Sequence, residues 1–291
     1  MDRKIGIVFG GGGGRGAYQV GVWKAIRDAG LESSFSAVSG CSVGALTAVM
    51  FAQGDYESLY EIWSNLKRET VLFPRRNIPS LPKAVKAVDK RMQPRRSLSF
   101  GMWSWLGLLE TMMRYCDFDK LKSNSTELYT AVTGIMNKRN RPEHLKAFFK
   151  FFRNEQFGTP RYITKGELSS AEELYAALIA SCAMPGVYPA MLIDGVSCYD
   201  GGLWEVHPIQ PLADAGYTDI LVVTLYDREP ANVAAFRQAG CNISVVRPEK
   251  SFGSFKDATL DFDGSHFDYK FNLGYADALP VAESMMRSLG K

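Results

Sequence analysis

Two short stretches of this chain combine residue types that can do chemistry, and the first is rich in glycine. Residues 8–21 read VFGGGGGRGAYQVG, and their glycines follow the apolar run Ile5–Phe9. Within them, residues 11–16 have the spacing GxGxxG of a dinucleotide-binding turn. Because glycines let backbone N–H groups approach a negative charge closely, this loop is expected to meet either a phosphate or an oxyanion that forms during a reaction.

A dinucleotide site would also need an acidic residue at the end of the second strand, about 20 positions after the glycines, to hold a ribose. Asp28 falls in the predicted first helix, and Glu32 precedes the predicted second strand at 35–39. The sequence therefore disfavours a nucleotide.

The second stretch lies at the end of that strand and carries a serine between two glycines. Gly40, Ser42 and Gly44 have the spacing GxSxG and come directly before an apolar helix predicted at 43–53. Small neighbours allow a serine to sit on a sharp strand-to-helix turn, with its hydroxyl at the carboxyl end of the sheet and a helix N-terminus behind it. Ser42 is therefore a candidate nucleophile. The same small residues also suit close packing of a helix on a strand without any chemistry.

A nucleophilic serine needs a base and an oxyanion hole. Since the carboxyl ends of neighbouring parallel strands share one edge of a sheet, N–H groups of the loop 10–16 are expected to face the carbonyl that Ser42 attacks. The histidines are His144, His207 and His266, and the last two satisfy the order Ser–acid–His of the α/β-hydrolases. Each histidine also has a simpler structural or surface interpretation, so these residues leave the base open.

Three motifs in order resemble the patatin-like phospholipase family: GGGGRG at 11–16, GCSVG at 40–44, and DGG at 200–202. The similarity continues in patches from 5 to 225, with ASCAMPGVYP at 180–189, and LGYADA at 273–278 resembles the last helix of bacterial members.

The resemblance implies a catalytic Ser–Asp dyad without histidine, in which Ser42 is the nucleophile and Asp200 is the general base. It places Gly201 and Gly202 in the aspartate motif, and it implies no cofactor and no metal. For Asp200, the alternative interpretation is an Asp-Gly turn of a β-hairpin. The resemblance also assigns the oxyanion hole to Gly11, Gly12, Gly13 and Gly14, with Arg15 and Gly16 in the same loop.

This chain departs from the family pattern at two positions. Gly10 stands where the family often has an acidic residue, and His207 stands where it commonly has Asn before Pro. The first departure puts the geometry of the oxyanion hole in question, and the second favours a structural role for His207.

Alternating apolar strands and helices predict an α/β fold, a three-layer α/β/α architecture with a central, mostly parallel sheet. The 291 residues, 46% of them apolar, suffice for a substantial core in one patatin-like domain, 1–291, with an inserted or lid-like segment near 67–115. Strands are predicted at 5–9, 35–39, 128–133, 220–226 and 243–246, helices at 16–28, 43–53, 171–180 and 231–238, and an edge strand or turn at 192–198.

The charge of the chain is unevenly distributed. Residues 67–96 contain ten basic and two acidic residues, and the apolar, aromatic stretch 100–115 follows. Such a segment suits peripheral contact with an anionic membrane, and it equally suits a solvated charged face beside a buried helix. A second basic cluster at 138–153 interleaves with phenylalanines, but no nucleic-acid-binding signature accompanies it, so no nucleic-acid partner is expected.

The cellular location and redox compartment of the protein are predicted from features that its sequence lacks. It has no secretory leader pattern and no apolar run of the roughly 18 residues that span a bilayer. Its five cysteines are scattered, which suits a reducing compartment. We expect a cytoplasmic protein, in solution or peripherally bound to a membrane, and the sequence does not indicate its oligomeric state.

Three hypotheses for function follow. The first is a lipid acyl hydrolase that cleaves carboxylic ester bonds of phospholipids or lysophospholipids. The second is a soluble esterase or thioesterase with the same dyad, and the third is a non-catalytic adaptor on a patatin-like scaffold.

Overall fold

The structure, a computed structural model, describes residues 4–74, 101–135 and 141–290. Its strands are β1 (Ile5–Phe9), β2 (Phe35–Cys41), β3 (Phe73–Pro74), β4 (Trp103–Ser104), β5 (Glu127–Ile135), β6 (Thr159–Thr164), β7 (Met191–Ile193), β8 (Val196–Asp200), β9 (Asp219–Val223) and β10 (Asn242–Val246). Its α-helices are α1 (Ala17–Asp28), α2 (Val43–Ala52), α3 (Tyr56–Ser64), α4 (Arg68–Val71), α5 (Leu106–Tyr115), α6 (Phe118–Ser123), α7 (Arg141–Phe152), α8 (Ala171–Ser181), α9 (Gln210–Asp214), α10 (Val233–Gln238) and α11 (Phe267–Ser288).

Eight of the described strands form one mixed, mostly parallel sheet in the order β10-β9-β1-β2-β5-β8-β7, with β6 paired to β5. The strands from β10 to β5 run parallel, whereas β6 and β8 run antiparallel to β5, and β7 runs antiparallel to β8. The short strands β3 and β4 form a separate antiparallel pair.

The two faces of the sheet are buried in different apolar clusters, because successive side chains of a strand point to opposite faces. In β1, Ile7 and Phe9 belong to the larger cluster with side chains of α1 and α2, whereas Val8 belongs to the smaller one with Leu212 of α9 and Val233 of α10. Helices therefore cover both faces of the sheet, which confirms the predicted α/β architecture.

Strand β5 brings the ends of β2 and β8 together. Its residues 129–134 pair with β6 along one edge. Along the other edge, β2 runs parallel to β5 and ends with Cys41 opposite Ala131, and β8 runs antiparallel and ends with Asp200 opposite Val132. The two strands therefore finish towards each other at adjacent positions of β5.

The structure differs from the sequence prediction mainly on the antiparallel side of the sheet. The segment predicted as an edge strand or turn at 192–198 is the hairpin of β7 and β8, whose turn residues Asp194 and Gly195 have positive φ values of 50° and 78°. Strand β6 was not predicted. Within the segment near 67–115, residues 75–100 lie outside the described part, so most of the basic stretch is not described. No helix among the described residues is long and apolar enough to cross a membrane.

Candidate active site

Ser42 occupies the turn between β2 and α2 in a backbone conformation that is rare for a residue with a side chain, with φ 56° and ψ −127°. The flanking glycines are required by close backbone contacts. A Cβ on Gly40 would lie 2.3 Å from the carbonyl oxygen of Gly44, and a Cβ on Gly44 would lie 2.1 Å from that of Phe9. The GxSxG spacing therefore marks a strained strand-to-helix turn, as expected.

Ser181, at the end of α8, supports this turn. The Ser42 N–H donates to Ser181 Oγ at 2.9 Å, and Ser181 Oγ donates to the Ala131 carbonyl of β5 at 2.6 Å. Ser181 thus ties the turn to the strand that also pairs with Asp200. Sequence reasoning assigned Ser181 no role, although it lies in the family-like stretch 180–189.

Asp200 is buried beside this turn, with 2% of its surface exposed. Its Oδ1 accepts hydrogen bonds from the Gly202 N–H at 2.8 Å and from the Cys41 thiol at 3.7 Å. Its Oδ2 is buried and has no hydrogen-bond partner among the described residues. Asp200 ends β8 and is followed by the 3₁₀ turn Gly201–Leu203, so it is not part of a hairpin turn.

Burial raises the pKa of Asp200 to about 6, even though the Gly202 N–H, the Ser42 hydroxyl and the Cys41 thiol favour the ionised form. The Ser42 hydroxyl is close enough to act on the carboxylate but does not form a hydrogen bond of standard geometry with it. Contacts between catalytic groups are often this loose before substrate binds. The aspartate is therefore ionised only above about pH 6.

The glycine loop faces this pair with its first half. Gly11, Gly12 and Gly13 line the same cavity as Ser42 and Asp200. The Gly11 N–H donates to the Val206 carbonyl at 3.0 Å, whereas the N–H groups of Gly12 and Gly13 have no acceptor among the described residues. Gly12 and Gly13 therefore combine a place in the lining of this cavity with N–H groups that can receive a developing negative charge.

The second half of the loop packs against the protein. A Cβ on Gly14 would lie 2.0 Å from the Asp261 carbonyl oxygen, and one on Gly16 would lie 2.2 Å from the Trp63 ring. No side chain fits at either position without a shift of its neighbours. These glycines allow close packing of the loop and are not among the cavity-lining residues.

Arg15 is buried and joins the glycine loop to residues 253–259 through its side chain. Its guanidinium donates to the carbonyl oxygens of Gly12 and Gly253, both at 3.1 Å, and to Thr259 Oγ1 at 2.6 Å. Burial lowers its pKa. The Gly12 carbonyl and the Gly13 N–H belong to one planar trans peptide and point in opposite directions, so Arg15 orients the Gly13 N–H. Arg15 thus fixes the backbone of the loop at Gly12 and Gly13 and does not itself line the cavity.

Lys270 of α11 holds the next part of the loop. Its buried ammonium donates to the Gly14 carbonyl at 2.9 Å and to Asp261 Oδ2 at 2.8 Å. Burial works to raise the pKa of Asp261, but Lys270 and His266 together lower it. The segment 253–270 therefore fixes the glycine loop, a role that sequence reasoning did not find.

The hydrogen bonds of the histidine rings lead away from Ser42 and Asp200. His144 Nδ1 lies 3.0 Å from the Tyr199 hydroxyl, His207 Nε2 lies 2.8 Å from Thr224 Oγ1, and His266 Nδ1 lies 3.0 Å from Asp261 Oδ2. Burial lowers the pKa of His207 to about 4, which keeps its ring neutral near pH 7.

Gly10 and His207, the two positions at which this chain departs from the family pattern, lie in contact. A Cβ on Gly10 would lie 2.5 Å from His207 Cδ2, so the histidine ring fills the space that a side chain at position 10 would need.

Ser42 lies between two cavities. One contains the Asp200 side and the glycine loop, and the other has an almost wholly apolar lining. The apolar cavity is lined by Gly13, Ser42, Val43, Leu46, Met50, Leu59, Ile62, Trp63, Leu66, Val71, Leu108, Thr111, Met112, Tyr115, Cys116, Cys182, Met184, Tyr188 and Phe262. A serine, a buried carboxylate and two free N–H groups beside an apolar cavity are components suited to acyl transfer. Within the described ranges, no group of three or more His, Cys, Asp or Glu side chains could hold a metal ion.

Comparisons with known proteins give consistent results. In Cryptococcus neoformans var. neoformans serotype D (strain JEC21 / ATCC MYA-565), "Lysophospholipase NTE1" is 25% identical over 232 residues, which cover 76% of this chain and 11% of the relative. In Aspergillus terreus (strain NIH 2624 / FGSC A1156), "Lysophospholipase nte1" is 43% identical over 51 residues, 18% of this chain and 3% of the relative. The chain thus spans only a small part of these curated relatives.

Among solved structures, VipD from Legionella pneumophila has a TM-score of 0.55 and 12% sequence identity, with 98% of this chain and 67% of that chain covered. This likeness shows the fold. The model of the patatin-like phospholipase family matches residues 7–213, a range that includes the glycine loop, Ser42 and Asp200. The chain belongs to the patatin-like phospholipase family.

Proposed function

We propose that this protein is a serine lipid acyl hydrolase that cleaves carboxylic ester bonds of phospholipids or lysophospholipids. One observation carries the proposal: Ser42 lies between an apolar cavity and a second cavity that holds the buried carboxylate of Asp200. The first cavity suits a fatty acyl chain, because burial of each methylene stabilises a complex by about 0.8 kcal/mol. The second cavity then receives the alcohol part of the lipid.

The reaction begins when Ser42 Oγ attacks the ester carbonyl carbon and Asp200 takes the hydroxyl proton. The N–H groups of Gly12 and Gly13 stabilise the negative charge that develops on the carbonyl oxygen. The ester C–O bond then breaks, and Asp200 returns the proton to the departing alcohol. Water hydrolyses the acyl-enzyme in the same way, with Asp200 as the base, and this releases the fatty acid and restores Ser42.

The geometry of Asp200 argues against the adaptor hypothesis. A buried carboxylate with a partnerless oxygen is unfavourable for folding, and such groups are characteristic of functional sites. The almost wholly apolar lining of the first cavity beside Ser42, which offers few polar partners, favours a fatty acyl chain over the small or activated acyl groups of a soluble esterase or thioesterase.

Release of free fatty acid from vesicles of phosphatidylcholine, and from lysophosphatidylcholine, tests the proposal, with a soluble short-chain p-nitrophenyl ester as the comparison substrate. We expect lipid hydrolysis that is lost in Ser42→Ala and in Asp200→Asn and retained in His207→Asn. Hydrolysis of the soluble ester alone would favour the esterase hypothesis, and no hydrolysis of any substrate would favour the adaptor.

A further inference from the structure

Helix α7 exposes a row of large apolar side chains. Leu145, Phe149 and Phe152 are 45%, 51% and 47% exposed. Their spacing of four and three residues places them on one face of the helix. The helix is nevertheless anchored through its other face, because His144 and Ala147 are buried and His144 bonds to the Tyr199 hydroxyl. The exposed face is therefore part of a fixed element.

This exposed face continues to the catalytic cavity. The rings of Phe152 and Phe255 have centroids 5.4 Å apart, and Phe255, in the π-helical turn Phe255–Thr259, is itself 36% exposed. Both rings line the cavity that contains Ser42 and Asp200. We call Leu145, Phe149, Phe152 and Phe255 the α7 patch; it joins the open surface to the active site.

Basic side chains border the α7 patch. Residues 142–155 of the described chain contain three basic and two acidic residues. Lys146 and Lys150 keep 60% and 41% of their side-chain surface exposed although they pair with Glu143 and Glu155, and Arg153 is exposed as well. An apolar face bordered by exposed lysine and arginine is typical of surfaces that lie in the headgroup region of an anionic bilayer.

We propose that the α7 patch docks the protein on an anionic phospholipid bilayer, with its aromatic and leucine side chains inserted at the boundary between headgroups and acyl chains. In this orientation the cavity that contains Ser42 and Asp200, which Phe152 and Phe255 line, opens towards the bilayer, so that a lipid reaches Ser42 without crossing water. The benefit to catalysis rests on the proposed function, whereas the docking itself does not. This surface is distinct from the segment 67–115, whose composition suited a membrane contact and a solvated charged face equally.

Co-sedimentation with vesicles tests docking without catalysis if all proteins carry Ser42→Ala. The probes are vesicles of phosphatidylcholine alone and of phosphatidylcholine mixed with phosphatidylglycerol. We expect binding mainly to the mixed vesicles and weaker binding at high salt. Adding Leu145→Asn and Phe149→Asn should lower the partition coefficient at least about tenfold, because two inserted apolar side chains are lost.

A matched control carries Met102→Asn and Met113→Asn, which remove two other exposed apolar side chains, both within 67–115. This control should bind as the parent does, and equal urea midpoints establish that both double variants are folded. In a third variant, Phe149→Trp should retain or strengthen binding, since tryptophan favours the bilayer interface.

Three results would overturn the proposal. Unchanged vesicle binding after the two α7 substitutions would show that the patch does not dock, and loss of binding only in the Met102 and Met113 control would assign the contact to 67–115. A fall in oligomeric mass after the α7 substitutions, without loss of vesicle binding, would assign the patch to contact with a second copy of the chain. Because vesicle binding is measured without turnover, none of these results depends on the proposed activity.

Discussion

Replacement of Asp200 by asparagine should change stability by an amount that depends on pH. The pKa of about 6 lies above the ordinary aspartate value of 3.8, and this difference corresponds to about 3 kcal/mol. Between these two pKa values the native protein binds a proton that the unfolded chain does not, so stability falls as pH rises. Above about pH 6 the full amount is lost. Asparagine does not ionise, and the variant escapes this loss.

The expected result is a difference curve. The free energy of unfolding of Asp200→Asn minus that of the wild type should increase by about 2.4 kcal/mol between about pH 4 and about pH 7.5, because a small part of the loss has already occurred at pH 4. Other groups that titrate in both proteins cancel in the difference. Among them is His207, whose lowered pKa makes stability fall as pH drops from 6.5 towards 4.

Urea unfolding followed by tryptophan fluorescence provides the measurement, since the chain has five tryptophans. Asp261→Asn is the matched control. The pKa of Asp261 is lowered in the folded protein, so the ionised carboxylate stabilises the folded state fully once the pH exceeds the ordinary aspartate pKa. The free energy of unfolding of Asp261→Asn minus that of the wild type should therefore not change with pH above about pH 5. A difference curve for Asp200→Asn that is also flat would refute the inference that burial raises the pKa of Asp200 to about 6. In the wild type, kcat/KM should rise with pH to a plateau, with a midpoint of about 6.

Three further predictions concern the loop and the apolar cavity. Lys270→Met removes the hydrogen bond to the Gly14 carbonyl and should lower kcat about tenfold with little change in KM, while Lys270→Arg restores part of the loss; an equal effect on KM would contradict a positioning role. Met112→Trp should shift preference towards shorter acyl chains about tenfold, measured by kcat/KM across a chain-length series, and an unchanged preference would place the acyl chain elsewhere. Gly10→Ala should lower the free energy of urea unfolding by about 1–3 kcal/mol because of the contact with His207, and a similar loss in the His207→Asn background would contradict that cause.

The parallel half of the fold and the Ser42 turn were predictable because their signals are local. Apolar strands, glycine turns and following helices identified β1, β2 and β9, and the GxSxG spacing identified the strained turn at Ser42. The resemblance to a family, and not the residues alone, singled out Asp200.

The meeting of Ser42 with Asp200 was not predictable from local signals. It depends on β2 and β8 ending at adjacent positions of β5, and the pairing of distant strands leaves no periodic signal in either strand. The hydrogen bond of the Gly11 N–H to Val206, the support from Ser181 and the hold of Lys270 on the loop also join residues far apart in sequence. The sequence alone does not predict that these polar groups are buried, because their hydrogen-bond partners lie in distant segments.

Mass spectrometry after treatment with a fluorophosphonate tests the central claim most directly, because this reagent modifies an activated serine. We predict one adduct on the peptide that contains Ser42 in the wild type, no adduct in Asp200→Asn, and an adduct in His207→Asn. An unlabelled wild type, or labelling that survives Asp200→Asn and is lost in His207→Asn, would contradict a Ser42–Asp200 dyad.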